Sequence, residues 1–585
     1  MKVPAMPYTA PLSDFRFLLD HIVGYHRVAA TDRFADADID TATAVLAEAA
    51  KLAADTLAPL QRAGDLHPAR LENGVVRTSP GFAEGFRAIA EGGWLGMAAD
   101  PAHGGMGLPM TLTTAVNEMM GSACLALQLN PLMSQGQIEA LEHHASDAIK
   151  ALYLPKLISG EWTGTMNLTE SQAGSDVGAL RARATPNADG TYAVSGQKIY
   201  ISWADNDFAT NVCHLVLARL PDGAPGTRGI SLFMVPKFLP DANGHAGQAN
   251  SLRVVSLEHK LGLHGSPTAV MDYDNATGWL VGAPHKGMAA MFTMMNNARL
   301  GVGVQGLSVA EGAYQHALYY ARDRRQGRTP QAADGAITGH ADVRRMLTHM
   351  KAEIFATRAI ALWNAVAIDM ARAQTDAPDG ADAPDGADWA ARAALLTPIT
   401  KAHGTETGIE VANTGIQVHG GMGYVEETGA AQYLRDVRVT AIYEGTNGIQ
   451  AMDLVNRKMA DGGEAAYRLL EEIQTAAESA RPALPALAGA VWNAAESLRE
   501  GTEWLVAASV DDRNAGAVAY LRAFARVLGG HAHLTAATAS GGSGPRAALA
   551  RVFITRILPE HASLLAQAQA GAADLYALSD MDLSA

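Results

Sequence analysis

The run Ile442-Tyr443-Glu444-Gly445-Thr446-Asn447-Gly448-Ile449-Gln450 sets a glutamate where an apolar stretch ends, a glycine permits a sharp turn and helical spacing resumes at Ile449. A carboxylate flanked by tyrosine and glycine at such a turn can be aimed into an apolar cavity. Lost hydration then raises its pKa and leaves it a useful base near neutral pH. The competing reading is an ordinary helix N-terminal charge, which suits the positive end of a helix dipole.

Three other strings carry chemistry. Leu168-Thr169-Glu170-Ser171-Gln172-Ala173-Gly174-Ser175-Asp176-Val177, followed by Gly196-Gln197-Lys198-Ile199-Tyr200-Ile201-Ser202, offers small hydroxyls and a glycine turn that let backbone approach a flat ring. It also fits a plain turn in which Ser and Asp cap backbone amides. Tyr320-Ala321-Arg322-Asp323-Arg324-Arg325-Gln326-Gly327-Arg328 is a cationic cluster at a helix end. It could clamp a pyrophosphate by paired guanidinium hydrogen bonds, or simply suit a helix C-terminus. Gly415-Ile416-Gln417-Val418-His419-Gly420-Gly421-Met422-Gly423-Tyr424 clears room for a ligand against the backbone, although it does not follow a strand as a dinucleotide fingerprint does.

The elements that must position these strings fall into five segments. Residues 1–39 form an N-terminal extension, and 40–162 are rich in Ala and Leu at helical spacing. Residues 163–285 change texture: Tyr192–Ser195, Lys198–Ser202, His214–Ala218 and Ile230–Val235 read as short strands punctuated by Gly, Pro and Asp, as in a small β-barrel or sandwich. Helical spacing returns over 286–460, interrupted by an acidic, imperfectly duplicated loop from Asp376 to Asp388. Residues 461–585 read as a further helical unit, cut at Gly541-Gly542-Ser543-Gly544-Pro545 before a helix from Ala547 to Leu565.

Composition narrows the class. The chain has 585 residues and a formal net charge of −15, which argues against general attraction to nucleic acid or an anionic membrane. Cys124 and Cys213 are its only cysteines and lie in no metal-spaced array, so we expect two buried thiols, no disulfide framework and no metal. No signal peptide or continuous apolar span is legible, which makes the cytoplasm the expected compartment.

Together the strings resemble the acyl-CoA dehydrogenase family, in collinear order from about Asp40 to Met459. Thr169-Glu170, Gly174-Ser175-Asp176, Gly196-Gln197-Lys198, Arg324, Gln417, Gly420-Gly421, Gly423, Arg435-Asp436 and Tyr443-Glu444-Gly445-Thr446 carry the match. The resemblance implies a mainly α fold with a central β-domain: a helical domain, a β-barrel and a four-helix bundle, here with an extra C-terminal helical domain. It also implies FAD, a homodimer or dimer of dimers, and an electron-transfer flavoprotein as electron acceptor. Tyr8–Leu19 and the C-terminal extension look like the long bacterial branch that includes 3-methylmercaptopropionyl-CoA dehydrogenases, an architecture that long-chain enzymes share.

By the same resemblance Glu444 is the base that removes the α-proton of an acyl-CoA, and FAD takes the β-hydride to give the trans-2-enoyl-CoA. Tyr443, Gly445, Arg299, Ser175 and Ser266 are implied in substrate binding. Met166, Leu168, Thr169, Gly174, Ser175, Tyr200, Ser202 and Thr446 are implied in holding FAD, with Arg324, Gln417, Gly420 and Gly421 reaching its pyrophosphate and adenosine end from the neighbouring subunit. Some relatives carry the base just before the arginine matched by Arg299, but Ala298 stands there. Glu426 and Glu427 are expected to be solvated. Tyr200, Gly327 and Gly448 replace the Trp, Phe and glutamine common in the family. Chain length is open, with short or medium thioesters ahead of long ones. An acyl-CoA oxidase and a DNA-binding alkylation-response flavoprotein are the other readings, the latter opposed by a lysine-free stretch after Lys458.

Overall fold

A computed structural model describes residues 8–376 and 388–584. The acidic duplicated loop read between Asp376 and Asp388 lies largely outside the described residues. The principal helices of the first part are α1 (Leu12–His21), α2 (Ile39–Lys51), α3 (Phe82–Glu91), α4 (Met110–His144) and α5 (Asp147–Ile158). The β-domain follows with β1 (Trp162–Asn167), β2 (Arg183–Pro186), β3 (Tyr192–Ser202), β4 (Asn211–Arg219), β5 (Ile230–Pro236), β6 (Leu252–Leu257) and β7 (Thr268–Val281). Then come α6 (Gly287–Asp323), α7 (Ala341–Asp376), α8 (Trp389–His419), α9 (Ala430–Val437) and α10 (Asn447–Met452). The chain closes with α11 (Glu464–Ala480), α12 (Pro485–Ala507), α13 (Val510–Ala539), α14 (Gly544–Val552) and α15 (Glu560–Ala568).

The β-domain is a barrel. Its order is β6-β7-β3-β2-β4-β1, and β5 pairs with both β7 and β4, so the sheet curls back on itself. The two strands expected on either side of Gly196 are one continuous strand, β3, because Gly196 adopts φ +137° and passes over Ala182, where any Cβ would meet Ala182 at 3.0 Å. Likewise the single C-terminal helix expected from Ala547 to Leu565 is two, α14 and α15, joined through a short wide turn that ends at Pro559.

α6, α7 and α8 form the bundle with the long α4. α6 and α8 touch backbone to backbone: a Cβ on Gly306 would stand 2.2 Å from the Gly404 carbonyl oxygen, one on Gly404 2.3 Å from that of Gly303, and one on Gly408 2.5 Å from that of Gly306. α4 is broken at Cys124 (φ −156°, ψ 87°), and the indole of Trp203 donates to the Ala126 carbonyl beside the break at 3.2 Å, which ties the barrel to the bend. Both cysteines are buried, as expected. α7 is long and apolar enough to cross a membrane by composition, yet 89 % of its most apolar window is buried inside the protein, as in a core helix.

A buried charge cluster crosses the bundle. Arg358 on α7, 1 % exposed, donates to Glu118 of α4 at 2.5 and 2.8 Å and to Glu311 of α6 at 2.7 Å, with Asp14 of α1 at 4.0 Å. Burial pushes the Glu118 carboxyl up to about 7 even though Arg358 pulls it down. The C-terminal unit is packed on the bundle through α13, where Arg526 holds Glu353 of α7 at 2.7 and 2.8 Å and Glu560 of α15 at 2.7 Å. Arg546 of α14 reaches back to Asp14 at 3.0 Å and to the Ser13 carbonyl at 3.1 Å while lying 3.9 Å over Phe17.

Two outcomes follow for stability. Arg358→Met strands two buried carboxylates and should cost about 3–5 kcal/mol in denaturant unfolding. Gly306→Ala should separate α6 from α8, costing about 1–3 kcal/mol as an overpacked core does and lowering activity along with the melting temperature.

Candidate active site

The Glu444 turn is built by backbone geometry. Ile442 and Tyr443 donate to the Val439 carbonyl, ending the preceding helical turns. Glu444 then takes φ +57° and Gly445 φ +82°. A left-handed conformation at a non-glycine residue costs on the order of 1–3 kcal/mol and persists only where its surroundings fix it. Here Gln450 Nε2 donates to the Glu444 carbonyl at 3.1 Å, Lys401 Nζ to the Gly445 carbonyl at 2.8 Å, and Thr446 caps α10 by accepting from the Ile449 amide at 3.2 Å. The Tyr443 hydroxyl bonds to Gln305 Oε1 of α6.

The result is a half-buried carboxylate held on a fixed turn. Burial raises its pKa to about 7, against the opposing pull of Arg299 and then Lys401. It is therefore part-ionised near neutrality, as a proton acceptor for a weak carbon acid needs to be. Arg299 is 6 % exposed, with Nη1 3.7 Å from Asp453 and 3.5 Å from Asn296 Oδ1. It pairs with Asp453, and its charge also acts on Glu444. Buried Arg299 Nε and Gln305 Nε2 have no hydrogen-bond partner among the described residues. Ala298 is buried, and Glu426 and Glu427 are exposed, Glu426 pairing with Arg435 at 2.9 Å.

A second group gathers on the barrel edge. Met166 at the end of β1, with Leu168 and Thr169 after it, lies half-buried beside the end of β3. There the Ile199 amide donates to the Thr169 carbonyl at 2.9 Å and Thr165 Oγ1 to the Ser202 carbonyl at 2.8 Å. Tyr200 takes φ +59° and stays 62 % exposed, its ring turned out of the barrel. The loop carrying exposed Gly174 and Ser175 is pinned by Glu170, whose carboxylate accepts from the Arg181 and Ala182 amides at 2.7 and 3.0 Å and from buried Lys198 at 2.8 Å.

A third group sits at the far end of the bundle. Tyr320 stacks on His419 at 4.4 Å, which sets exposed Arg324 beside exposed Gln417, Gly420 and Gly421. Apart from the adjoining backbone, no atom of the described residues lies within 4 Å of where a Cβ would stand on Gly420, Gly421 or Gly174. Lys401 and His419 are 18 residues apart on α8, about 27 Å at helical rise, so this group does not meet the Glu444 turn of its own chain. An exposed aromatic on the barrel edge, with open glycine backbone and the exposed Arg324 at the bundle end, fits a flat, phosphate-bearing cofactor.

Ser266 is buried, its amide donating to the Leu263 carbonyl and its own carbonyl accepting from Lys260 Nζ at 3.0 Å. This segment is locked to α9: the Leu263 amide donates to Asp436 at 2.6 Å, and a Cβ on Gly262 would strike the Arg435 carbonyl at 2.4 Å. Arg435 grips Asp65 at 2.7 Å through both nitrogens, and Arg62 and His264 reach the same carboxylate at 2.7 and 2.8 Å. Burial would raise Asp65, but these partners, Arg435 foremost, hold it below its usual range. Where α4 and α6 face each other, Gly136 lies on Met294, and a Cβ there would stand 3.1 Å from the Met294 side chain.

Sequence reasoning missed Lys401, Asn447 and Gln305, which brace the turn. Their one signal is a polar residue on an apolar helical face, most clearly Lys401 in Leu395-Leu396-Thr397-Pro398-Ile399-Thr400-Lys401-Ala402.

Comparison with known proteins assigns the parts. The family models for the N-terminal, middle and C-terminal domains of acyl-CoA dehydrogenase match residues 40–161, 165–276 and 285–459, and one described as acetyl-CoA dehydrogenase C-terminal like matches 469–579. A 3-methylmercaptopropionyl-CoA dehydrogenase of Ruegeria pomeroyi is 45 % identical over 88 % of each chain. A butyryl-CoA dehydrogenase of Syntrophomonas wolfei is 33 % identical, covering 77 % of this chain and 75 % of its own. The structure of Caenorhabditis elegans ACDH-11 in complex with C11-CoA superimposes with a TM-score of 0.78 at 20 % identity, over 94 % of this chain and 91 % of that one. With its turn-borne glutamate, barrel edge and appended helical unit, the chain belongs to the acyl-CoA dehydrogenase family, FAD-dependent oxidoreductases acting on the CH–CH bond of acyl-CoA thioesters.

Proposed function

We propose that this enzyme dehydrogenates a short acyl-CoA thioester, 3-methylmercaptopropionyl-CoA first and butyryl-CoA next, with Glu444 as the α-proton base. The observation that carries the base is a half-buried carboxylate on a left-handed turn with its pKa raised to about 7. The substrate order is supported by two relatives named for short thioesters. When bound, FAD supplies the hydride acceptor for the β-hydrogen. Thr169, Tyr200 and Ser202 would hold its ring system at the barrel edge, and Arg324, Gln417 and Gly421 would serve the cofactor of a second protomer.

The protein's own groups do the rest. The Glu444 side chain receives the α-proton, and its backbone amide is fixed by the same turn, so one element can orient a base and a donor toward a thioester carbonyl. Closure of a thioester over the carboxylate removes its remaining water and increases its proton affinity. The same reading takes a homodimer as the assembly, an electron-transfer flavoprotein as acceptor and the cytoplasm as compartment. The dimer is supported by the separation of the bundle-end group from the Glu444 turn along α8.

Anaerobic titration of the purified yellow protein with thioesters from propionyl- and 3-methylmercaptopropionyl- to palmitoyl-CoA tests this directly. Wild type should bleach fastest with the short thioesters, and Glu444→Gln should slow bleaching by on the order of 100-fold or more. Bound FAD that no thioester bleaches would remove the dehydrogenase assignment of this chain. Because the base must be ionised, kcat/KM should rise with pH through about 7, where the Glu444 carboxyl loses its proton.

A further inference from the structure

Lys401 on α8 faces the Glu444 turn, and none of the steps above employs it. Its side chain is fully buried, and its ammonium donates to the Gly445 carbonyl at 2.8 Å and to Asn447 Oδ1 at 3.0 Å. Thr405, one helical turn along α8, donates to the same Asn447 oxygen at 3.1 Å, and Asn447 Nδ2 reaches Glu406 at 3.3 Å. A buried ammonium is tolerated where acceptors and a counter-charge surround it. Here both acceptors belong to the two residues that follow the base and its left-handed turn.

We propose that Lys401 is a positioning residue for α-proton transfer: its ammonium clamps Gly445 and Asn447 so that the Glu444 turn keeps its shape, and its charge keeps the neighbouring carboxylate ionised. The proposal rests on Glu444 as the base. Other charges face the pair from each packed element. Arg299 comes from α6, with Asp453 after α10 bound to it and to Arg457, and Glu406 comes from α8, with Arg522 of α13 at 3.6 Å from Glu406. Burial lowers the Lys401 ammonium to about 7 while Glu444 holds it up, and Lys401 in turn lowers the Glu444 carboxyl that burial raises.

The sign of the effect follows. Without the ammonium, Arg299 alone opposes the burial of Glu444, so the carboxyl keeps its proton to higher pH. A lysine that merely held the fold would depress the rate equally at every pH.

The test uses the full-length flavoenzyme and the variants Lys401→Met, Lys401→Arg and Asn447→Ala. In Lys401→Met the acid limb of kcat/KM should move up by about one pH unit. The pH at which proton uptake peaks on binding an enoyl-CoA, measured by calorimetry in two buffers, should move with it. Lys401→Arg should keep both where wild type has them. Asn447→Ala keeps the charge but loses one clamped acceptor, so kcat should fall on the order of tenfold or more with the limb in place. An unmoved limb in Lys401→Met overturns the electrostatic role. If that variant does not retain FAD, an unchanged kcat in Asn447→Ala overturns the clamp. Glu444→Gln is run alongside: if it still reduces flavin at the wild-type rate, the base assignment fails, whereas an inert Glu444→Gln beside an unmoved limb in Lys401→Met removes the Lys401 proposal alone.

Discussion

The site exists because two helices meet without side chains between them. Gly303 and Gly306 on α6 face Gly404 and Gly408 on α8 so closely that each added Cβ would enter the other helix's backbone. That contact sets the spacing of everything the two helices carry. Arg299 and Gln305 project from α6 and Lys401 and Thr405 from α8, and all four act on the short turn between Val439 and Ile449 or on its base. A strained backbone at Glu444 is then held from both helices, with the stiffness of the bundle standing behind the placement of a single carboxylate.

Around this contact the domains are joined by buried charged groups that collect partners from several elements. Asp65 gathers Arg62, His264 and Arg435 from the N-terminal domain, the barrel and α9. Arg358 gathers Glu118 and Glu311 from α4 and α6. Asp369 of α7 accepts from the Met110 and Thr111 amides at 2.6 and 2.8 Å and so caps α4 across the interface. Such pairs add little net stability over apolar packing, but removing one partner leaves a buried charge, so they enforce one docking geometry.

Much of this was legible in the sequence. Short runs punctuated by Gly, Pro and Asp marked the barrel strands, the helical spacing marked the bundles, and Tyr443-Glu444-Gly445-Thr446 marked the turn, with the role of Glu444 as base implied by the family resemblance. What stayed hidden depends on long-range geometry. Nothing local announces that Gly196 is threaded through a strand over Ala182, or that Arg435-Asp436 locks the barrel to α9. Lys401 was hidden for the same reason: a lysine in a helix reads as surface until the partner that surrounds it, here the Gly445 carbonyl, is brought in by the fold.

The clasp between Arg546 and the Ser13-Asp14 corner joins the first described helix to one of the last. On the ribosome, α1 and α4 emerge long before α13 and α14. The apolar face of α7, which α13 covers through Arg526 and His533, must wait for nearly the whole chain to be synthesised. Domains usually fold in order of emergence, yet here one of the cations on Asp14 arrives only with the final unit. Until α13 has been made, the face of α7 that carries Glu353 and the Ala352 carbonyl has no cover from it.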